Sequence, residues 1–531
     1  MHAAAVRRSV VVGGWTSRDR RRVRVHSVLL ASERSKRIRQ TTPRAPRVAA
    51  MATLKWRSDF DKFVVVSNFE KRGWERWRDP GPDAADAGAA DAHQTSSSWN
   101  VYWANVHAAK HLFHPSAESR LGDHQVVNHF PNHYELTRKD LMVKNVKRYR
   151  KELEKEAALA AALRGNGLGG VAVPTPTDHL DFVPLTFSLP ADYSLFAEEF
   201  RRGGGDNARA TNATTWIMKP TGKAQGKGIF LVNKLAQVKR WANTGGALAA
   251  NNSAAHSTSN KHQSDRDKTE PPAQEAYIVS RYVHNPLLIG GKKFDLRLYV
   301  TVTSYRPLRA FISKLGFARF CNVKYSGDVA DIDNPFVHLT NVAIQKRGEE
   351  YNESHGNKWP LRDLRLHLES TRGKTATDAL FAAMRDCVTH SLRAVSNVMV
   401  NDRHCFELYG YDLLVDESLK PWLIEVNASP SLSATTEADR RLKCRVIRDA
   451  LLVAVPPGKL DAKPRDGGKR GVGVGAGGNG GHGGLGGVPP EAAETLELLV
   501  DEAAETAARE EREFARAARK SAARNKSGAD R

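Results

Sequence analysis

Between residues 52 and 456 the chain alternates short, dense apolar runs with stretches rich in Ala, Gly and Ser. Several of the runs repeat every second residue, the pattern of a strand with two unlike faces. Phe294, Leu296, Leu298 and Val300 alternate with Asp295, Arg297 and Tyr299, which puts Asp295 and Arg297 on one face of a predicted strand. Trp216–Pro220 is a short apolar strand ending in Lys219-Pro220, and residues 228–232 form a second one after a Gly/Lys turn. Residues 277–283 form a further strand, and 309–313 with 316–320 a strand pair in which Arg319 lies among apolar neighbours. Residues 410–416 and 421–427 read as a hairpin turned by Glu417-Ser418-Leu419-Lys420. In its second arm Val426 points away from Glu425 and Asn427, so these two share a face and Asp412 can oppose them.

Helical spacing appears twice. Over 138–156, Met142, Val146, Tyr149 and Leu153 form an apolar stripe, and Lys144, Lys147, Arg148, Lys151 and Lys155 a charged one. Over 490–520, Leu496, Leu499, Ala503, Ala507 and Phe514 recur at near-heptad spacing amid Glu and Arg, which predicts a solvated tail helix. The stretches at about 80–98, 157–178, 203–213 and 243–275 read as surface loop expansions, and 471–487 as a Gly-rich linker. No repeat of roughly 20–50 residues is present, which excludes solenoids and propellers.

Charge narrows the partners. The chain carries 81 Lys+Arg against 59 Asp+Glu, a net of +22, and such an excess calls for an acidic partner, nucleic acid or an acidic protein surface. No nucleic-acid-binding motif supports the first. Residues 1–50 hold 12 Arg and one Lys against Asp19 and Glu33, a net of +11, while 461–531 balance to zero, so another +11 belongs to 51–460. The basic N-terminal run reads as a transit peptide, a basic arm, or an over-extended start preceding a true one at Met51. A hydrophobic share of 40% is enough to build a core and excludes a wholly disordered chain. No window approaches ~18 uninterrupted apolar residues, so no membrane-spanning helix is expected. Cys321, Cys387, Cys405 and Cys444 form no C-x-x-C pair, which favours a reducing compartment and argues against a Cys-based zinc site.

Three segments carry chemistry. The turn from Thr221 to Gly228 joins two strands, and such a loop can lay backbone N–H groups over phosphates while Lys219 reaches them as a point charge. It is neither a Walker A loop nor a dinucleotide fingerprint, because a strand rather than a helix follows. A plain hairpin with solvated lysines is the competing reading. Arg297 is either half of a cross-strand ion pair or a grip on a phosphate or carboxylate. In Val337-His338-Leu339-Thr340-Asn341-Val342 polar side chains cluster in an apolar run where burial would demand partners; a lone His there is usually structural. Asp412, Glu425 and Asn427 are hard oxygen donors suited to Mg²⁺, and a buried Asp–Glu pair without a cation would repel.

This ensemble resembles the ATP-grasp ligases and, more narrowly, the tubulin–tyrosine ligase-like family. The segments from Asn128 to Asp140, Trp216 to Pro220, Gly222 to Phe230, Asn285 to Arg297, His338 to Asn341 and Trp422 to Leu432 match the family in order, over most of 52–456. Within the family the likeness is to polyglutamylating members that act as the catalytic subunit of a complex. The resemblance implies an α+β, ATP-grasp fold. It would have a basic arm or misplaced start at 1–51 and an N-terminal α/β domain at 52–190. A central domain at 191–283, with an insert at 243–275, and a C-terminal domain at 284–456 would follow, then a linker at 457–489 and a helical tail at 490–531. It also implies ATP and Mg²⁺. Lys219, Gly222, Gln225, Gly226, Lys227, Gly228 and Lys293 would face the phosphates. Ser280, Arg281, Tyr282 and Val283 would form the adenine hinge, and Thr340 and Asn341 would sit near ribose and phosphates. Asp412, Glu425 and Asn427 would bind Mg²⁺. Arg297 and Arg319 would grip the γ-phosphate and the reacting carboxylates, and Lys139 would face the active site. The implied reaction joins free L-glutamate by an isopeptide bond to a glutamate side chain in the acidic tubulin tail, through an acyl phosphate. Glycine and tyrosine are the alternative amino acids, and a non-catalytic microtubule scaffold the alternative class. Implied partners are microtubules and further complex subunits; the implied location is the cytoplasm and cytoskeleton, with a cilium or flagellum and basal body. The charged stripe over 138–156 would steer the acidic tail.

Overall fold

The computed structural model describes residues 53–78, 98–117, 120–163, 180–204, 215–223, 225–243, 276–354, 357–460 and 487–529. The basic run at 1–50, nearly all of the loop expansions and the Gly-rich linker lie outside the described residues.

Three sheets build the described chain. The first is parallel. Its strands β1 (Lys55–Ser58), β2 (Glu75–Arg76), β3 (Val101–Trp103) and β4 (Val126–Val127) lie in the order β2-β1-β3-β4. Parallel neighbours need crossovers, and α1 (Phe63–Glu70) and α2 (Val106–Leu112) supply them. Asn105 caps α2, its side chain accepting from the N–H groups of His107 and Ala108. The long helix α3 (Lys139–Leu163) follows, carrying helix into residues 157–163, where a loop was expected.

The second sheet is antiparallel, in the order β5-β8-β6-β7. It comprises β5 (Thr186–Leu189), β6 (Trp216–Pro220), β7 (Phe230–Val232) and β8 (Tyr277–Arg281). It takes in β5, which the expected boundary at 190 assigns to the preceding domain; pairing with β8, distant in sequence, recruits it. Helices α4 (Tyr193–Arg202) and α5 (Leu235–Asn243) cover one face through Phe196, Phe200, Val238 and Trp241.

The third sheet has eight strands: β9 (Leu288–Ile289), β10 (Lys292–Tyr305), β11 (Leu308–Ser313), β12 (Phe317–Phe320), β13 (Lys358–Pro360), β14 (Glu407–Val415), β15 (Pro421–Asn427) and β16 (Leu496–Asp501). The long strand β10 pairs with β9, β11, β12 and β14 along its length. Its apolar face, Phe294 to Val302 by alternate residues, joins the main core with α3 and α6 (Lys374–Ser396). Helix α7 (Glu437–Ala454) packs on the first sheet and reaches Tyr299 and Phe317 of the third.

The tail differs from the expected helix. Leu496 and Leu499 lie in β16, which pairs antiparallel with β11, and the helix α8 (Glu502–Ala529) begins only afterwards. Edge pairing with β11 and a shared core with Phe311 and Val453 outweigh the helical spacing. Leu496→Ala should therefore cost about 2–5 kcal/mol. Phe514→Ala, at a side chain 79% exposed, should stay within about 0.5 kcal/mol. Urea unfolding of the two variants separates an integrated strand from an independent tail, which would leave both values small.

Candidate active site

The polar face of β10 organises the site. Register sets Asp295 opposite Arg319 of β12 and Arg297 opposite Asp412 of β14. Arg297 donates to both Asp412 oxygens at 2.6 and 3.1 Å. Arg319 donates to both Asp295 oxygens at 2.7 and 2.5 Å and lies 2.9 Å from Asp412 Oδ2. All four side chains are buried. Burial alone would raise the Asp412 carboxyl pKa; the two guanidiniums override it and hold it well below the usual carboxylate range. The arginines are thus half of an internal charge lattice. Both also line a cavity.

That cavity, of about 540 Å³, is lined by Arg297, Arg319, Gln225, Asn341, Glu425 and Asn427, and by the loop following β15. Glu425 pairs with Asp412 in the β14–β15 register, and the Asn427 amide lies 3.5 Å from Asp412 Oδ2 and 3.4 Å from Glu425 Oε1. Lys139, at the start of α3, lies 3.1 Å from Glu425 and donates to the Lys223 carbonyl at 3.2 Å. Among the described residues no group of three or more His, Cys, Asp or Glu surrounds a point. Glu425 and Asn427 line the cavity as hard donors of the kind Mg²⁺ takes beside waters and substrate oxygens, whereas Asp412 does not line it and has both oxygens engaged by the two arginines.

The smaller cavity, about 80 Å³, gathers Lys219, Ser280 and Arg281 of the second sheet, Lys293 of the third, and Tyr282, Val283 and Thr340 from connecting segments. Burial pulls the Lys219 ammonium down to about 8, against the opposing pull of Glu425. Burial likewise lowers Lys293, which donates to the Tyr282 hydroxyl at 2.9 Å and the His338 carbonyl at 3.1 Å. The glycine loop reaches the larger cavity through Gln225. Gly226 has φ +77°, and a Cβ there would come within 2.5 Å of Ile344; at Gly228, φ +72°, it would come within 2.9 Å of the Tyr277 hydroxyl. Gly222 has open space and an ordinary φ, and the exposed Lys227 lines neither cavity.

Sequence reasoning passed over other lining residues. Asn128, Lys358 and Lys443 line the larger cavity. Asn128 lies inside a matched segment, which was its one signal. Lys443, four residues after Asp439, reads as half of a surface helix pair until burial is known. His338, which the sequence reads as structural, lines the smaller cavity and hydrogen-bonds the Tyr282 hydroxyl at 2.9 Å. The expected charged stripe on α3 divides. Lys147 donates to the Thr186 carbonyl and lies over the Phe187 ring, and Arg148 donates to the Ala394 carbonyl. Lys144, Lys151 and Lys155 stay exposed.

The chain belongs to the tubulin-tyrosine ligase family, whose profile matches residues 116–463. It is 46% identical over 418 residues to "Probable alpha-tubulin polyglutamylase Ttll1" of Tetrahymena thermophila, covering 79% of this chain and 90% of that one. It is 42% identical over 375 residues to "Probable tubulin polyglutamylase TTLL9" of Bos taurus, covering 69% and 75%. To "Tubulin polyglutamylase TTLL5" of Homo sapiens it is 32% identical over 381 residues, covering 69% of this chain and 24% of that one.

The charge lattice predicts its own fragility. Arg319→Met strands the buried Asp295 carboxylate and should cost about 3–5 kcal/mol, read by chemical denaturation. A loss below about 1 kcal/mol, the range of exposed pairs, would mean that the lattice is solvated.

Proposed function

We propose that the protein is an ATP-dependent tubulin polyglutamylase, joining free L-glutamate to glutamate side chains in the acidic tubulin tail. The likeness to polyglutamylases along most of the chain carries this reading. Its site chemistry supports it. When bound, ATP with Mg²⁺ supplies the phosphoryl group that makes an unreactive carboxylate a good acyl donor. Lys219 and Lys293 then neutralise phosphate charge in a water-poor slot between two antiparallel sheets, the arrangement of an ATP-grasp enzyme. Gly226 and Gly228 let the backbone of the covering loop approach closely. Ser280 to Val283 flank the slot where a base would lie. Glu425 and Asn427, with Asp412 adjoining them behind the arginines, would hold the cation. Arg297 and Arg319, already oriented by Asp295 and Asp412, offer their remaining N–H groups to the reacting carboxylate. Exposed Lys144, Lys151 and Lys155 give the acidic tail a positive approach, so tail affinity should fall as salt rises. The reading extends to association with microtubules, further complex subunits and ciliary or basal-body structures.

Mass spectrometry of tubulin tails after incubation with ATP and, separately, glutamate, glycine or tyrosine tests the reaction. Glutamate should add to the tails, and Glu425→Gln should reduce addition by at least about 100-fold. Addition of another amino acid in its place would displace the glutamate assignment, and full activity of the variant would displace the cation site.

Lys219 makes nucleotide affinity depend on pH. Its folded pKa near 8 lies below the ordinary lysine value, and phosphate favours the protonated form. Affinity should be full below that value and fall as pH rises through it, by up to about tenfold per unit. Lys219→Arg should remove the fall in a calorimetric titration from roughly pH 7 to 9.5. A flat wild-type profile would take Lys219 away from the phosphates.

A further inference from the structure

The larger cavity has a second positive end, which the reaction as described leaves unused. Lys358, from β13, and Lys443, from α7, both line it. Their side chains are 11% and 4% exposed, and they share one carboxylate, Asp439. Lys358 Nζ donates to Asp439 Oδ2 at 2.9 Å and to Thr435 Oγ1 at 3.1 Å. Lys443 Nζ donates to the Ser433 carbonyl at 2.6 Å and to Asp439 Oδ2 at 3.2 Å. Thr435 also turns its N–H toward the Asp439 carboxylate, at 3.1 Å. Two ammonium groups against one carboxylate leave net positive charge in a buried place, which is costly unless an anion completes it. Burial lowers Lys443 to about 8, and the like charges of Lys358 and Arg297 act in the same direction. Lys358 has used two of its three N–H donors in these contacts; its ammonium also lies 5.0 Å from the Phe317 ring, which lines the same cavity, and among the described residues no further hydrogen bond takes the third donor.

The chemistry of the two ends differs. At the reacting end Arg297 and Arg319 are matched by Asp295 and Asp412, whereas the lysine end is not matched. We propose that Lys358 and Lys443 form a second carboxylate-binding subsite, holding a substrate carboxylate other than the one being activated. The inference rests on the ligase reading above. The carboxylate belongs either to the free amino acid or to a glutamate flanking the acceptor in the peptide.

Full-length protein, ATP, free L-glutamate and a synthetic acidic peptide provide the test. Lys443→Met and Lys358→Gln should raise one KM by roughly 10- to 100-fold, the worth of a lost charge-assisted contact, with kcat changed far less. A rise for L-glutamate assigns the subsite to the incoming amino acid. A rise for the peptide, reproduced in the wild type by glutamine at the flanking positions, assigns it to the tail. Both KM values within about twofold of wild type, in a variant with the wild-type Tm, overturn the proposal. Loss of folding in both variants also overturns it, since the three residues would then be a clamp between β13 and α7. A wild-type protein that does not ligate sinks the ligase reading instead. Calorimetric binding of L-glutamate and of the peptide, with and without Lys443→Met, then decides the subsite alone.

Discussion

Four buried charges, two of each sign, hold the middle of the large sheet in one register. Arg297 and Asp412 face each other across β10 and β14, and Asp295 and Arg319 across β10 and β12, with Arg319 reaching Asp412 as well. A slip of one residue would turn these groups into the apolar core, where they would have no partners. The lattice therefore selects the register as well as occupying it. It also fixes the orientation of both arginines before any substrate arrives. A guanidinium held bidentately by one carboxylate presents its remaining N–H groups in a known direction, and little side-chain entropy is left to lose.

Around this matched core lie lysines that are not matched one for one by carboxylates. Lys219 and Lys293 are buried in the small cavity, and Lys443 in the large one. Burial lowers the pKa of all three, so each ammonium is held at a cost that a bound anion would relieve. The contrast between neutral lattice and positive pockets separates groups that shape the protein from groups turned toward ligands. It also divides the basic excess on α3: Lys147 and Arg148 are tied to backbone carbonyls of neighbouring elements, while Lys144, Lys151 and Lys155 stand exposed toward solvent.

Much of this arrangement was legible in the sequence. Period-two alternation identified β10 and the face carrying Asp295 and Arg297, and the hairpin of β14 and β15 followed from two apolar arms around a four-residue turn. The glycine loop was legible as well, although only Gly226 and Gly228 prove sterically constrained, while Gly222 has space around it. The tail was misread because Leu496 and Leu499 satisfy helical spacing as readily as they fill a strand edge, and β11, their partner, lies far away in sequence. β5 crossed its expected boundary for the same reason.

The sequence by itself determined local periodicity, and with it which side chains share a face. It also determined the supply of charge and the ordered motifs that mark the family. Only the tertiary structure decided pairing. Asp412 meets Arg297 across 115 residues of chain, so whether an arginine is a free hand or part of a lattice depends on a register that no local window contains. Burial is likewise a property of the assembled layers. It turns Lys443, an ordinary-looking helix lysine, into a desolvated charge facing a cavity, because water is removed by neighbours that the adjacent sequence does not name.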